Sequence, residues 1–195
     1  MEASAGQTGR ALRADARRNR ESILAAAKTA FAEAGVHAQM EDVARRAAVG
    51  VGTVYRHFPT KEALIGELLD QKFRLLLEGA RQALDVEDPW EAFAGTLRRN
   101  AELMAADAAV QDALMRADAD AAFSYAEEAR EELKTTFAIV IERAKTARVI
   151  RPDFTIEDVP PLMCGLSSTM AAGAAGGRFD WRRHLELMLD GIRAR

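Results

Sequence analysis

The sequence predicts an all-α protein, and three observations carry that expectation. Strict apolar–polar alternation is nearly absent, and the 195 residues include only two tyrosines and few β-branched runs. Alanine, leucine, glutamate and arginine dominate, and these residues lose least on entering a helix. Apolar residues recur at helical spacing in one segment after another, with Gly, Pro and Asp marking the breaks.

Residues 1–16 are small and polar and contain Gly6, Gly9, Arg10 and Arg13; they are expected to form a flexible basic arm. A first helix is expected from Arg17 to Ala34, where Ile23, Ala27, Phe31 and Ala34 share a face and Gly35 stands as a C-terminal cap. Met40, Val43, Ala44 and Ala47 repeat at i, i+3, i+4, i+7 and predict a short second helix. A tight link through Ala48, Val49 and Gly50 leads to a third, Val51 to Phe58, which Pro59 stops. Thr60 is a good N-cap for a long fourth helix, Lys61 to Leu84, with Leu64, Ile65, Leu68, Leu69, Phe73 and Leu76 along its stripe. The DVEDP segment at 85–89 breaks it and marks a domain boundary between residues 17–84 and 85–195. Pro89 suits the first turn of a fifth helix, to Ala105. Further helices are expected at 107–117, 120–147, 156–174 and 180–193, with Pro160 and Pro161 tolerated in a first turn.

Charge is unevenly placed. The net charge is -3, yet residues 1–65 hold ten Lys/Arg against seven Asp/Glu, and the remainder holds 17 against 23. A basic N-terminal part suits contact with a polyanion. No apolar run is long enough to span a membrane and no apolar segment follows the N-terminal arginines, so neither an anchor nor a secretory signal is expected. The single cysteine, Cys164, cannot pair internally, which fits a reducing cytoplasm.

The third helix is the segment richest in chemistry. With about 100° per residue, Val51, Val54, Tyr55 and Phe58 fall on one side, and Gly52, Thr53, Arg56 and His57 fall on the other. So short a helix cannot stand alone and must lean on Phe31, Met40 and Val43. Its polar side carries what a major-groove reader needs. Arg56 can reach phosphate or guanine, Thr53 a thymine methyl or phosphate, and Gly52 lets the backbone approach closely; Tyr55 can give its hydroxyl to phosphate.

Residues 34–64, AGVHAQMEDVARRAAVGVGTVYRHFPTKEAL, resemble the DNA-binding domain of the TetR family of bacterial transcriptional regulators. The most diagnostic part is VGTVYRHFPTKEAL at 51–64, and the match reaches back through ILAAAKTAFAEAG at 23–35. The resemblance implies a helix-turn-helix at 39–58 that binds double-stranded operator DNA, and a regulator, specifically a repressor, released by a small-molecule effector. It implies base contacts near Val51, Gly52 and Thr53, and phosphate contacts from Tyr55, Arg56, His57 and Lys61, with Arg17, Arg18 and Arg20 adding to them; Gln39, before the second helix, joins the DNA-binding set where the family often has serine or threonine. Two positions depart from the family pattern: Ala48 stands where glycine is common, and Gly50 where a capping serine is common.

For residues 85–195 the resemblance implies a helical effector-binding and homodimerisation domain, with the two last helices at the dimer contact. The apolar residues Leu162, Met163, Leu166, Met170, Leu185, Met188 and Ile192 need burial, within one subunit or in a four-helix bundle between two. Candidate pocket residues are Phe93, Leu97, Met104, Leu114, Met115, Phe123, Phe137 and Met163, pointing to an apolar or mixed effector.

Two other classes remain open at this level, an all-α protein–protein adaptor and a helical metal-dependent enzyme. Against the enzyme, there is no Gly-rich phosphate loop, HExxH, CxxC or Gly-x-Ser-x-Gly motif, and His37, His57 and His184 are isolated in sequence. No enzymatic activity, cofactor or metal is expected.

Overall fold

A computed structural model describes residues 3–106, 119–174 and 176–194. Among these residues the regular structure is helical, with one isolated bridge between Ile150 and Arg193. The first helix, α1, runs Ala3–Ala34. It starts before the expected Arg17, so residues 3–16 continue the helix where an arm was expected. Ala3, Ala5, Ala11, Leu12, Ala14 and Ala16 supply enough helix-forming residues to carry it past Gly6 and Gly9. Gly35, at φ 58°, turns the chain out of α1.

Helix α2 (Met40–Arg46) and helix α3 (Val51–His57) follow. Between them the chain closes a Schellman motif: Val49 N donates to Ala44 O at 3.1 Å and Ala48 N to Arg45 O at 3.3 Å. Ala48 occupies the left-handed position, φ 54°, that this motif reserves for glycine. Helix α4 (Lys61–Leu84) opens with Thr60 accepting from Ala63 N at 3.1 Å, the expected cap.

Helix α5 (Pro89–Ala106) is capped by Asp88, whose Oδ1 accepts from Trp90 N at 2.8 Å and Glu91 N at 3.0 Å. The helix expected at 107–117 lies outside the described residues. The single helix expected over 120–147 is two, α6 (Ala119–Ser124) and α7 (Glu127–Thr146). The break falls where the chain passes from one core to another, a change of partner that periodicity alone does not register. A second Schellman motif ends α7, with Arg148 at φ 56° and Val149 N donating to Ala144 O at 3.1 Å. Helix α8 (Val159–Ala174) follows a short 3-10 turn at Ile156–Asp158, and helix α9 (Trp181–Ile192) begins on Asp180, which accepts from Arg182 N and Arg183 N.

Two cores result. The first gathers Ile23, Phe31, Val43, Val54, Leu64 and Leu68, with Ala122 and Ala126 from the α6 region. The second gathers Phe93, Phe137, Ile141, Ile150, Leu166 and Leu189. Phe93 stacks on Phe137 at 6.0 Å and meets Phe154 edge-on at 5.5 Å. Helix α4 serves both: Leu64 and Leu68 enter the first, Ala80 and Ala83 the second. No helix among the described residues is long and apolar enough to cross a membrane.

Candidate functional site

Helix α3 has only seven residues, so its position is dictated by what its buried side chains rest on. Val54 and Phe58 are fully buried in the first core, alongside Phe31, Met40 and Val43. The expected apolar side of α3 is narrower than the helical projection drew it: Val51 and Tyr55 are 41% and 43% exposed. One short helix against one small core buries a single stripe, and its flanks stay in solvent. The outward surface therefore carries Val51, Gly52, Tyr55 and Arg56, with Thr53 and His57 half-buried at its margins. A Cβ at Gly52 would meet nothing within 4 Å, so the glycine answers to no contact inside the chain. Arg56 lies back along α3, its Nε donating to Gly52 O at 3.2 Å and an Nη to Thr53 Oγ1 at 3.1 Å.

The remaining sequence-derived candidates surround this surface. Gln39 is exposed at the start of α2 and its Nε2 donates to His37 O at 2.7 Å. Lys61, in the first turn of α4, places its Nζ 5.8 Å from the Phe31 ring centroid. Arg18 is exposed and pairs with Asp15. Arg20 is placed elsewhere: its guanidinium is bound by Glu67 on α4 and lies 5.0 Å from the Phe58 ring centroid, so it braces the fold instead of joining the outward surface. Arg45 and Arg46, which sequence reasoning passed over, are exposed on α2, paired with Asp42 and Glu33. Those pairs hold the Asp42 carboxyl below the usual carboxylate range and the Arg46 guanidinium above its ordinary value, chiefly through the side-chain hydrogen bonds.

A second feature lies between α4, α5, α7 and α8. It is a cavity of about 620 Å³ walled by Leu69, Phe73, Asn100, Met104, Phe123, Arg130, Phe137 and Met163, among others. Of the candidate pocket residues, Met104, Phe123, Phe137 and Met163 stand in its walls. Phe93 and Leu97 do not; both are packed into the second core, where Phe93 stacks on Phe137 and meets Phe154 edge-on. Leu114 and Met115 lie outside the described residues. Sequence reasoning missed Asn100 and Arg130. Asn100 had a signal: it stands on the Phe93–Leu97–Met104 stripe of α5, a polar residue at an apolar position. Among the described residues no cluster of three His, Cys, Asp or Glu could hold a metal ion.

Known proteins share both parts of this architecture. The family described as "Bacterial regulatory proteins, tetR family" matches residues 23–68, and the one described as "Transcriptional regulator SbtR-like, C-terminal domain" matches residues 88–194. The crystal structure of a TetR transcription regulatory protein from Mycobacterium vanbaalenii is 33% identical, covering 94% of this chain and 99% of that one, with a TM-score of 0.62. A TetR transcriptional regulator from Streptomyces coelicolor is 30% identical over 90% of this chain and 98% of its own, with a TM-score of 0.59. The transcriptional repressor KstR2 of Rhodococcus jostii is 28% identical over 144 residues, 71% of each chain. The helix-turn-helix surface, the all-helical fold and matches along both parts of the sequence agree: this chain belongs to the TetR family of bacterial transcriptional regulators.

Proposed function

We propose that the chain acts as a homodimeric repressor that covers operator DNA and leaves it when a small molecule fills the cavity. The observation that carries this reading is the outward surface of α3. Gly52 is bare and Arg56 exposed, while Val54 and Phe58 fix the helix from behind. Val51, Gly52 and Thr53 would meet base edges in the major groove, while Tyr55, Arg56 and His57 would serve phosphates. Lys61 would hold a further phosphate, helped by the positive end of α4, and Gln39 and Arg18 would add contacts at either side.

Dimerisation is assigned to α8 and α9. Leu187 is 52% exposed and Leu162 and Met188 are half-buried, apolar surface that a second copy would cover. Two recognition helices would then sit about 34–36 Å apart, one turn of B-DNA. A ligand can shift the operator equilibrium only by its differential affinity for the bound and released forms. Helix α4 is the connecting element, since it supplies Leu69 and Phe73 to the cavity and Leu64 to the core beneath α3.

The test is selection of DNA from a random pool by the full-length protein. Enrichment of an inverted repeat with half-sites one helical turn apart supports the reading. A pool that stays random after successive rounds removes it.

A further inference from the structure

Two buried polar atoms give the cavity a chemical character that its apolar walls hide. Among the described residues, three buried side-chain nitrogen or oxygen atoms have no hydrogen-bond partner: Arg99 Nε, Asn100 Oδ1 and Arg130 Nε. Asn100 and Arg130 both line the cavity. Asn100 is 9% exposed and sits on the apolar stripe of α5 among Leu97 and Met104, where an aliphatic residue would pack without penalty. Arg130 lies 5.7 Å from the centroid of the Phe123 ring, itself a wall of the cavity. One outer nitrogen, Nη2, lies 2.9 Å from Glu127 and 3.6 Å from Glu131, while Nε is left without an acceptor. The charged residues of the lining are Lys72, Arg130, Glu131, Lys134 and Glu157, of which Lys134 and Glu157 pair at 3.5 Å.

We propose that the cavity takes an apolar-bodied acid that also carries a hydrogen-bond donor, with its carboxylate held at Arg130 and its donor given to Asn100. This rests on the reading of the chain as an effector-responsive regulator and specifies the effector class. An arginine facing a carboxylate makes a strong, charge-assisted bond. A buried acceptor without a donor rejects a ligand that lacks one, because its own desolvation goes uncompensated. The volume suits a ligand of about a dozen heavy atoms or more. The two orphaned atoms call for opposite partners, an acceptor at Arg130 Nε and a donor at Asn100 Oδ1, so a plain hydrocarbon or a plain fatty acid satisfies neither or only one.

The experiment is isothermal titration of the full-length protein with dodecanoate, methyl dodecanoate and a set of hydroxydodecanoates differing in hydroxyl position. Dodecanoate should bind about tenfold more tightly than its ester, and at least one hydroxy acid about tenfold more tightly again. Arg130→Gln should erase the preference for acid over ester. Asn100→Leu, or Asn100→Ala should the larger residue disturb folding, should erase the preference for the hydroxy acid and keep that for the acid. An ester that binds as well as the acid, a set of hydroxy acids none of which gains, or no binding by any probe overturns the proposal. Operator binding, measured in parallel, separates the two claims. Release by some other compound while the acids fail to bind sinks the ligand class and keeps the regulator. Tight binding of the hydroxy acid with operator affinity unchanged sinks the effector role and keeps the site.

Discussion

Arg20 on α1 and Glu67 on α4 meet fork to fork, with Nη1 2.8 Å from Oε1 and Nη2 2.8 Å from Oε2. The same guanidinium lies 5.0 Å from the centroid of Phe58, the residue that anchors the end of α3. One side chain thus ties the first helix to the fourth and closes over the anchor of the third. Arg20's hydrogen bonds hold the Glu67 carboxyl below the usual glutamate range, against the opposing pull of its partial burial.

Glu67→Gln should lower stability by about 1 kcal/mol at neutral pH, the scale of a well-formed, partly exposed pair. Because folding depresses the Glu67 pKa, its contribution is complete above the unfolded-chain value, about 4.3, and is lost as pH falls through the lower folded value. Urea melts of wild type and Glu67→Gln should therefore converge on acidification. A stability difference that stays constant down to the acid limit would show that the pair contributes by shape alone.

Ala48→Gly should raise stability by about 1 kcal/mol, since alanine at φ 54° carries a steric cost that glycine avoids. Ala48 is exposed, so the change sacrifices no packing. Arg148→Gly should do the same at the end of α7, and the two gains should add, because the two exposed turns flank different cores. The check is a rise in the urea midpoint at constant m.

Thr60→Ala should cost about 1 kcal/mol by leaving Ala63 N without its acceptor at the start of α4, whereas Thr60→Ser should stay close to wild type. Thermal unfolding followed by circular dichroism separates the two; equal destabilisation in both variants would place the cost in the missing methyl instead of the cap.

Arg56→Ala and Lys61→Ala should each weaken operator binding and flatten its dependence on log salt by about 0.9 for each phosphate that is no longer neutralised. Fluorescence anisotropy over a salt series reads both quantities. Folded variants with unchanged slope would remove these two side chains from the DNA interface.

Much of this fold was legible because helices announce themselves. The apolar stripe of α4, the Thr60 cap and the strained Ala48 all follow from local chemistry. What periodicity omits is the identity of the facing surface. The stripe Phe93, Leu97, Asn100, Met104 is continuous, yet its first two residues fill the core while the last two wall the cavity. Val51 and Tyr55 look inward on a helical projection and stand in solvent, because the width of the buried stripe depends on how much core lies behind it. A choice of pocket residues by Met and Phe alone also passes over Asn100 and Arg130, whose meaning appears only when their surroundings are known.

The short helix α6 belongs to both halves of the molecule. Ala122 is buried with the residues that seat α3, Phe123 beside it walls the cavity, and Gly66 of α4 brings its backbone so close that an added Cβ would lie 2.5 Å from Tyr125 Cβ. The division at residues 85–89 therefore separates the chain in sequence but not in space. A party wall stands between the two rooms, built from a segment far down the chain: Phe123 faces the cavity on one side, and Ala122 joins the core under α3 on the other.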